Sequence, residues 1–276
     1  MDRRLTPATD RAALRGYGIA RDVITDGMPM RVAASLVDLD RDPDGRRDRQ
    51  LNFGADVTVI ERRDARAFVR AAADGYCGWL PWSALTTQLP RITHRITAPA
   101  SHVYPSASMK EREMTTLSIG ARLAVEAVEG SFARLASGGY VPVQHIGQAP
   151  SDDPAAVAET LLGTPYLWGG NSRAGIDCSG LAQASFAACG LTIPGDSDLQ
   201  HAAFPAVEDI RRNDLLFWPG HVAIALGPDR MIHATAFAMA VITEAIPDAI
   251  ARIAAAGEGP FRGARRVAMD RAPSFP

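Results

Sequence analysis

One stretch, residues 163–200 (GTPYLWGGNSRAGIDCSGLAQASFAACGLTIPGDSDLQ), restricts the fold of this chain more than any other. It sets a cysteine between a turn and a helix. Gly175 lets the backbone turn before Asp177-Cys178-Ser179-Gly180, and an Ala/Leu-rich run, residues 181–188, reads as a helix stopped by Gly190. Cys178 then falls at or near a helix N-terminus, where unpaired N–H groups and the helix dipole favour a thiolate. The thiolate is the nucleophilic form, so this is a place where chemistry can use a cysteine.

A nucleophile needs a base, which folding brings near from elsewhere in the chain. Two downstream histidines lie on apolar, strand-like runs: His221 opens His-Val-Ala-Ile-Ala-Leu, and His233 sits in Met-Ile-His-Ala-Thr. Taken alone, Cys178 could equally be a small buried hydrophobe. The flanking glycines and both histidines together favour the catalytic reading. A zinc site on the same residues would need three or four ligands, usually including a close pair. The chain has no Cys-x-x-Cys and no His-x-x-x-His, so neither a metal nor a cofactor is expected.

These residues resemble the NlpC-type cysteine peptidases, which cut bacterial cell-wall peptides. The resemblance runs in order through Thr164-Pro165-Tyr166-Leu167-Trp168-Gly169-Gly170, Asp177-Cys178-Ser179-Gly180-Leu181 and Ile193-Pro194-Gly195-Asp196-Ser197 with Gln200. It continues through Asp214-Leu215-Leu216-Phe217-Trp218, His221-Val222 and His233-Ala234. It implies a papain-like arrangement with Cys178 as nucleophile, His221 as base and His233 orienting the His221 ring. The backbone N–H of Cys178 and the Tyr166 hydroxyl would hold the oxyanion, with Trp168 walling the cleft. Asp196, helped by Ser179, would bind the free α-amino group of the substrate's first residue, with a helix cap as the alternative for Asp196. Asp177 is placed among the substrate-binding residues, with a helix N-cap as its stronger alternative. Tyr76, from an SH3-like domain, would close the same pocket. One departure is that such members carry a glutamate before Gln50, where this chain has Arg46, Arg47 and Asp48.

Around that core the chain divides into four stretches. Residues 1–16 read as a short helix or arm, with Thr6-Pro7 as N-cap and first helical position and Gly16 as the stop. Residues 17–89 and 90–148 are strand-rich and weakly repeated: Gly54, Phe68 and Gly75-Tyr76 find counterparts in Gly120, Phe132 and Gly139-Tyr140. The first copy carries Gly75-Tyr76-Cys77-Gly78-Trp79, which resembles the signature of bacterial SH3-like modules. Residues 149–276 open with a helix after Asp153-Pro154 and end in short strands broken by Pro and Gly, with residues 262–269 as a closing strand. The expected fold is thus an α+β papain-like cysteine peptidase domain preceded by two small all-β SH3-like barrels.

A net charge of −2 carries no nucleic-acid footprint, and three cysteines (Cys77, Cys178 and Cys189) cannot all pair in disulfides. No stretch is long and apolar enough to span a membrane, and the N-terminus lacks a signal-like apolar core, so a cytoplasmic protein is expected. The resemblance implies a murein peptide as the partner. The reaction it implies is hydrolysis of the bond between γ-D-glutamate and the diamino acid, in recycling of released peptides. The alternatives are an exported hydrolase of intact wall, a non-catalytic wall-peptide binder, and a thiol acyltransferase.

Overall fold

Residues 1–269 are described by a computed structural model in which the chain divides after Gln148. In the first unit, alternation of apolar and polar side chains builds an antiparallel seven-stranded sheet. Its spatial order is Arg47–Asn52, Leu36–Asp40, Cys77–Pro81, Arg66–Ala71, Asp56–Arg63, Met28–Val32 and Leu85–Thr86. One face buries Met30, Val37, Leu39, Val57, Val69, Tyr76 and Leu80. The other buries Ile60, Phe68, Cys77 and Trp79 under Ala12. This two-sided burial follows from the period of two along each strand.

The N-terminal stretch is not the expected helix. Arg3–Leu5 forms a single 3-10 turn that ends at Thr6, and Ala12–Leu14 is a strand pairing in parallel with Val23–Thr25. Thr9 explains the difference. Its hydroxyl accepts the N–H groups of Arg11 and Ala12 and donates to Glu61 Oε2 at 2.6 Å. Such side-chain bonds offer the backbone an alternative to helix, and the tie to Glu61 fixes the segment on the sheet.

The rest of the first unit consists of three small sheets. Their strands are Arg122–Leu123, His94–Ile96 and Ile146–Gly147; Ala100–Val103 and Thr115–Ser118; and Val125–Glu129, Phe132–Leu135 and Tyr140–Pro142. Ile96, Leu117, Leu123, Leu135 and Val141 form their core. The weak sequence repeat has a backbone counterpart. Gly54 and Gly120 both sit at φ +81°, which glycine adopts without the Cβ penalty. Both copies also end alike: a strand closes at a proline, Pro81 or Pro142, and runs through a 3-10 turn into a two-residue strand.

Among its described residues, the second unit combines four α-helices with a six-stranded antiparallel sheet and a small two-stranded one, Asn171–Ser172 with Gly175–Ile176. The helices are α1 (Pro154–Glu159), α2 (Cys178–Ala188), α3 (Ser197–Ala203) and α4 (Ile246–Ala255). Asp153 caps α1 by accepting the Ala155 N–H, with Pro154 at the first position. The sheet runs Ala206–Val207, Ala264–Arg265, Leu215–Trp218, His221–Ala225, Arg230–Thr235 and Ala240–Ala245. Helices α1 and α2 pack on its central strands, while α4 contributes Ile246, Ala249 and Ile253 to a cluster with Leu216, Trp218, Ala223 and Met231.

The closing strand is shorter than residues 262–269, because pairing stops at Arg265. There Arg266 leaves the ladder to grip the buried Asp214, donating from Nε and Nη2 at 2.8 Å each, while the Arg211 N–H bonds the same carboxylate at 2.7 Å. Removing one partner of a buried pair leaves the other uncompensated. Asp214→Ala is therefore expected to lower unfolding stability by about 2–4 kcal/mol. Urea unfolding followed by tryptophan fluorescence measures this, and a loss below about 1 kcal/mol would show that the grip is dispensable.

Candidate active site

Helix α2 starts at Cys178, with Asp177 in extended conformation as its N-cap. Both Asp177 oxygens are engaged by the protein. Oδ1 accepts the Gly180 N–H at 2.7 Å and the Ser179 hydroxyl at 3.0 Å, and Oδ2 accepts the Gly169 N–H at 2.8 Å. The carboxylate thus caps the helix and ties the glycine loop of residues 169–170 to its first turn. Gly180 is required by that closeness: a Cβ there would stand 2.3 Å from Gly170 O and from Asn171 Oδ1. Burial pushes the Asp177 carboxyl above its ordinary value, opposed by the N–H groups of Gly180 and Gly169.

The two histidines arrive on neighbouring strands. Leu215–Trp218 turns through Pro219-Gly220 into the strand His221–Ala225, so that Trp218 and His221 stand opposite each other. The Gly220 carbonyl lies 4.0 Å from Cys178 Sγ and accepts from the thiol. His233, on the next strand, is completely buried. Its Nδ1 is 2.9 Å from His221 Nε2. One ring must donate and the other accept in that bond.

Burial dominates the protonation of the set. It pushes the Cys178 thiol up to about 12, helped by the Asp177 charge, against the lowering effect of the backbone N–H groups of Val222, Ser179 and Cys178 itself. It pushes His221 down to about 3, aided by His233 and Arg252. The helix start therefore does not hold a thiolate by itself. Desolvation of the buried sulfur opposes the thiolate more than these N–H dipoles favour it.

The remaining sequence candidates fall as follows. Tyr166, half-buried, is pushed above the ordinary phenol value by burial and by the neighbouring Cys178 and Asp177 charges, so it stays a hydroxyl donor. Its N–H bonds Met239 O, joining the loop before α2 to the hairpin after His233. Trp168 is 71% exposed and stands at the surface, as do Phe237 and Met239. Asp196 occupies the N-cap position of α3 at φ +60°, yet its side chain makes no capping bond. Its charge adds to the upward push on Asp177. Left-handed φ at a non-glycine residue is costly and concentrates at functional sites. Gln200 is fully buried and ties α3 to α2 by donating to Ser179 O and Pro194 O. Tyr76 belongs to the first unit, where it is 1% exposed, with the Arg49 guanidinium 5.1 Å from its ring centre.

Two residues at the site were not read from the sequence. Glu244 Oε2 lies 3.2 Å from His233 Nε2, at ion-pair distance but poorly aligned for a hydrogen bond. Arg252 donates to both Glu244 oxygens, at 2.9 and 2.8 Å. The apolar pattern marks where a strand runs, and Glu244 falls between the strand ending near Thr243 and the helix starting near Ala245. Nothing in the local sequence pairs it with His233.

Comparison with known proteins agrees with this arrangement. A sequence model described as the NlpC/P60 family matches residues 163–250, and one described as the bacterial dipeptidyl-peptidase Sh3 domain matches residues 40–85. The chain is 32% identical over 211 residues to a gamma-D-glutamyl-L-lysine dipeptidyl-peptidase of Bacillus subtilis (strain 168), covering 67% of this chain and 71% of that protein. It is 29% identical over 215 residues to dipeptidyl-peptidase 6 of Lysinibacillus sphaericus, covering 67% and 79%. Among solved structures, an NlpC/P60 family protein from Bacillus cereus ATCC 10987 superposes with a TM-score of 0.73 at 22% identity, over 86% of this chain and 99% of that one, and shares the fold.

If burial keeps the thiol protonated, reactivity at Cys178 depends on His221. In His221→Ala, alkylation of Cys178 by iodoacetamide at pH 7 is expected to fall at least about a hundredfold and to recover as pH rises toward about 11. Peptide mapping after a timed reaction reads this. Unchanged alkylation at pH 7 would mean that the helix N-terminus alone activates the thiol.

Proposed function

Because the chain belongs to the NlpC/P60 family of cysteine peptidases, we propose that it hydrolyses the bond between γ-D-glutamate and the diamino acid of murein peptides, using Cys178, His221 and His233. The observation that carries this reading is the 2.9 Å bond between His221 Nε2 and His233 Nδ1, beside a cysteine at the first position of a helix. The Bacillus subtilis relative, named for γ-D-glutamyl-L-lysine, supports the substrate class.

On this reading His221 Nδ1, the nitrogen not engaged by His233, takes the Cys178 proton as sulfur attacks the amide carbonyl. The backbone N–H of Cys178 and the Tyr166 hydroxyl face the developing oxyanion. His221 then returns the proton to the leaving amine of the diamino acid. Water, deprotonated by the same nitrogen, hydrolyses the acyl-enzyme. The strand-rich stretches 17–89 and 90–148 are two SH3-like barrels, and the repeated glycines and matching strand ends support that assignment.

Asp196 is proposed to pair with the ammonium of the first substrate residue, with Ser179 and Asp177 shaping the floor beside it. Two observations support it: the helix-cap alternative is not realised, and the residue holds an unusual backbone conformation. A ligand with a free amino terminus is a released peptide, so the enzyme recycles such peptides in the cytoplasm.

Cys178→Ala is expected to abolish cleavage, while Cys189→Ala retains most of it. Mass spectrometry of L-Ala-γ-D-Glu-diamino acid, free and N-acylated, tests the substrate. Charge-assisted bonds contribute roughly 1.5–3 kcal/mol, so the acylated peptide is expected to be cut at least about a hundredfold more slowly, the ratio that about 2.7 kcal/mol implies. Asp196→Asn narrows that gap. Equal kcat/KM on both peptides would overturn the recycling reading and favour an exported hydrolase of intact wall.

A further inference from the structure

The two-histidine bond does not end at His233. Behind it, Glu244 and Arg252 continue the chain of contacts toward the surface. Glu244 is on the strand Ala240–Ala245, where Met231 is its direct partner and His233 its diagonal neighbour. Partners and their diagonals share one face of a sheet. Arg252 reaches the carboxylate from α4 and makes two N–H bonds to it. The guanidinium also lies 4.3 Å from the ring centre of Phe237, which holds its plane.

We propose that Glu244, clamped by Arg252, is a positioning residue that selects the tautomer of His233 and through it the tautomer of His221. This rests on the catalytic set proposed above. A carboxylate only accepts hydrogen bonds. A bare lone pair on the ring nitrogen 3.2 Å away, His233 Nε2, would be repelled by the carboxylate even without an aligned hydrogen bond, so that nitrogen is assigned the hydrogen. A neutral imidazole has one N–H, so His233 Nδ1 is a bare acceptor. The 2.9 Å bond then takes its hydrogen from His221 Nε2. His221 in turn has one N–H, which leaves Nδ1 bare to take the Cys178 proton. Each assignment forces the next.

The opposite order fails at each step. If His233 carried its hydrogen on Nδ1, its Nε2 lone pair would face a carboxylate. His221 would then hold a hydrogen on Nδ1 and could not act as base. A doubly protonated His233 would donate from Nδ1, make His221 accept at Nε2 and so leave the His221 hydrogen on Nδ1, where a base needs a lone pair. Burial and the Arg252 charge oppose that state and hold His233 down to about 4, although Glu244 pulls the other way. The Arg252 bonds keep the Glu244 carboxyl below its ordinary value, so it remains an acceptor at neutral pH. The charged groups facing this centre are thus Glu244 and Arg252, opposite in sign, and the pair orients the rings without adding net charge.

The test reads the ring nitrogens of the full chain, labelled with 15N-histidine, at pH 7 without substrate. Long-range 1H–15N correlations, assigned with His221→Gln and His233→Gln, distinguish bare from protonated nitrogens. In the wild-type protein both Nε2 atoms are expected to be protonated and both Nδ1 atoms bare. In Glu244→Ala the His233 hydrogen moves wholly or partly to Nδ1, and kcat falls at least about tenfold while KM stays within about threefold. Glu244→Asp keeps more of the wild-type tautomer than Glu244→Ala. A wild-type His233 protonated on Nδ1 overturns the proposal, whether or not any variant folds. Unchanged tautomers in a folded Glu244→Ala also overturn it, even if activity is lost, because Glu244 would then act only on stability. The tautomers are read without turnover, so a failure of the peptidase reading would show separately, as intact peptide with the wild-type protein.

Discussion

The site depends on one hydrogen bond between two imidazole rings, one completely buried (His233) and one half-buried (His221). A buried imidazole resists charge, and so does a buried thiol. Each group alone is therefore held neutral, Cys178 by a raised thiol pKa and His221 by a lowered one. On the proposed mechanism charge becomes tolerable only as a pair, when one proton moves from Cys178 to His221. That makes geometry the controlling variable. On that mechanism the His221 ring has to present its bare nitrogen to the thiol, and the 2.9 Å contact with His233 restricts the ring.

The second unit is built to keep that geometry. Its buried polar groups are used as ties between segments remote in sequence. Asp177 joins the glycine loop to the first turn of α2, Gln200 joins α3 to the same turn, and Asp214 is gripped by Arg266 just past the closing strand. The turn at Pro219-Gly220 places a carbonyl against the sulfur and sends His221 onto its strand. Each of these ties removes a direction in which the cysteine helix could drift from the histidine strands. Small errors of that kind are expensive, because reacting groups must meet within a narrow range of distance.

The first unit follows a different economy. Its strands are short, and two different cores support two copies of a weakly repeated pattern. What survives between the copies is mainly backbone: glycines at left-handed φ, prolines at strand ends, and the 3-10 turns after them. Side chains can diverge when they only need to fill space. A turn that requires φ near +80° cannot accept most residues, so the glycine stays.

Local physics made much of this legible in advance. The N-terminal position of Cys178 could be read from Gly175, the apolar run and Gly190, and the strands carrying His221 and His233 from their apolar runs between Pro and Gly breaks. The family resemblance supplied the roles, which spacing alone does not contain. Other features were decided only in three dimensions. Thr9 bonds Glu61 across 52 residues and turns an expected N-terminal helix into a strand. Burial outweighs the helix start and pushes the Cys178 thiol up, a balance that depends on how much protein surrounds the sulfur. Glu244 meets His233 because two strands pair in one particular register, and Arg252 meets Glu244 because α4 folds back over that sheet. Sequence periodicity reports which face of an element is buried, but contacts between elements depend on register and packing, and those are settled only when the whole core closes.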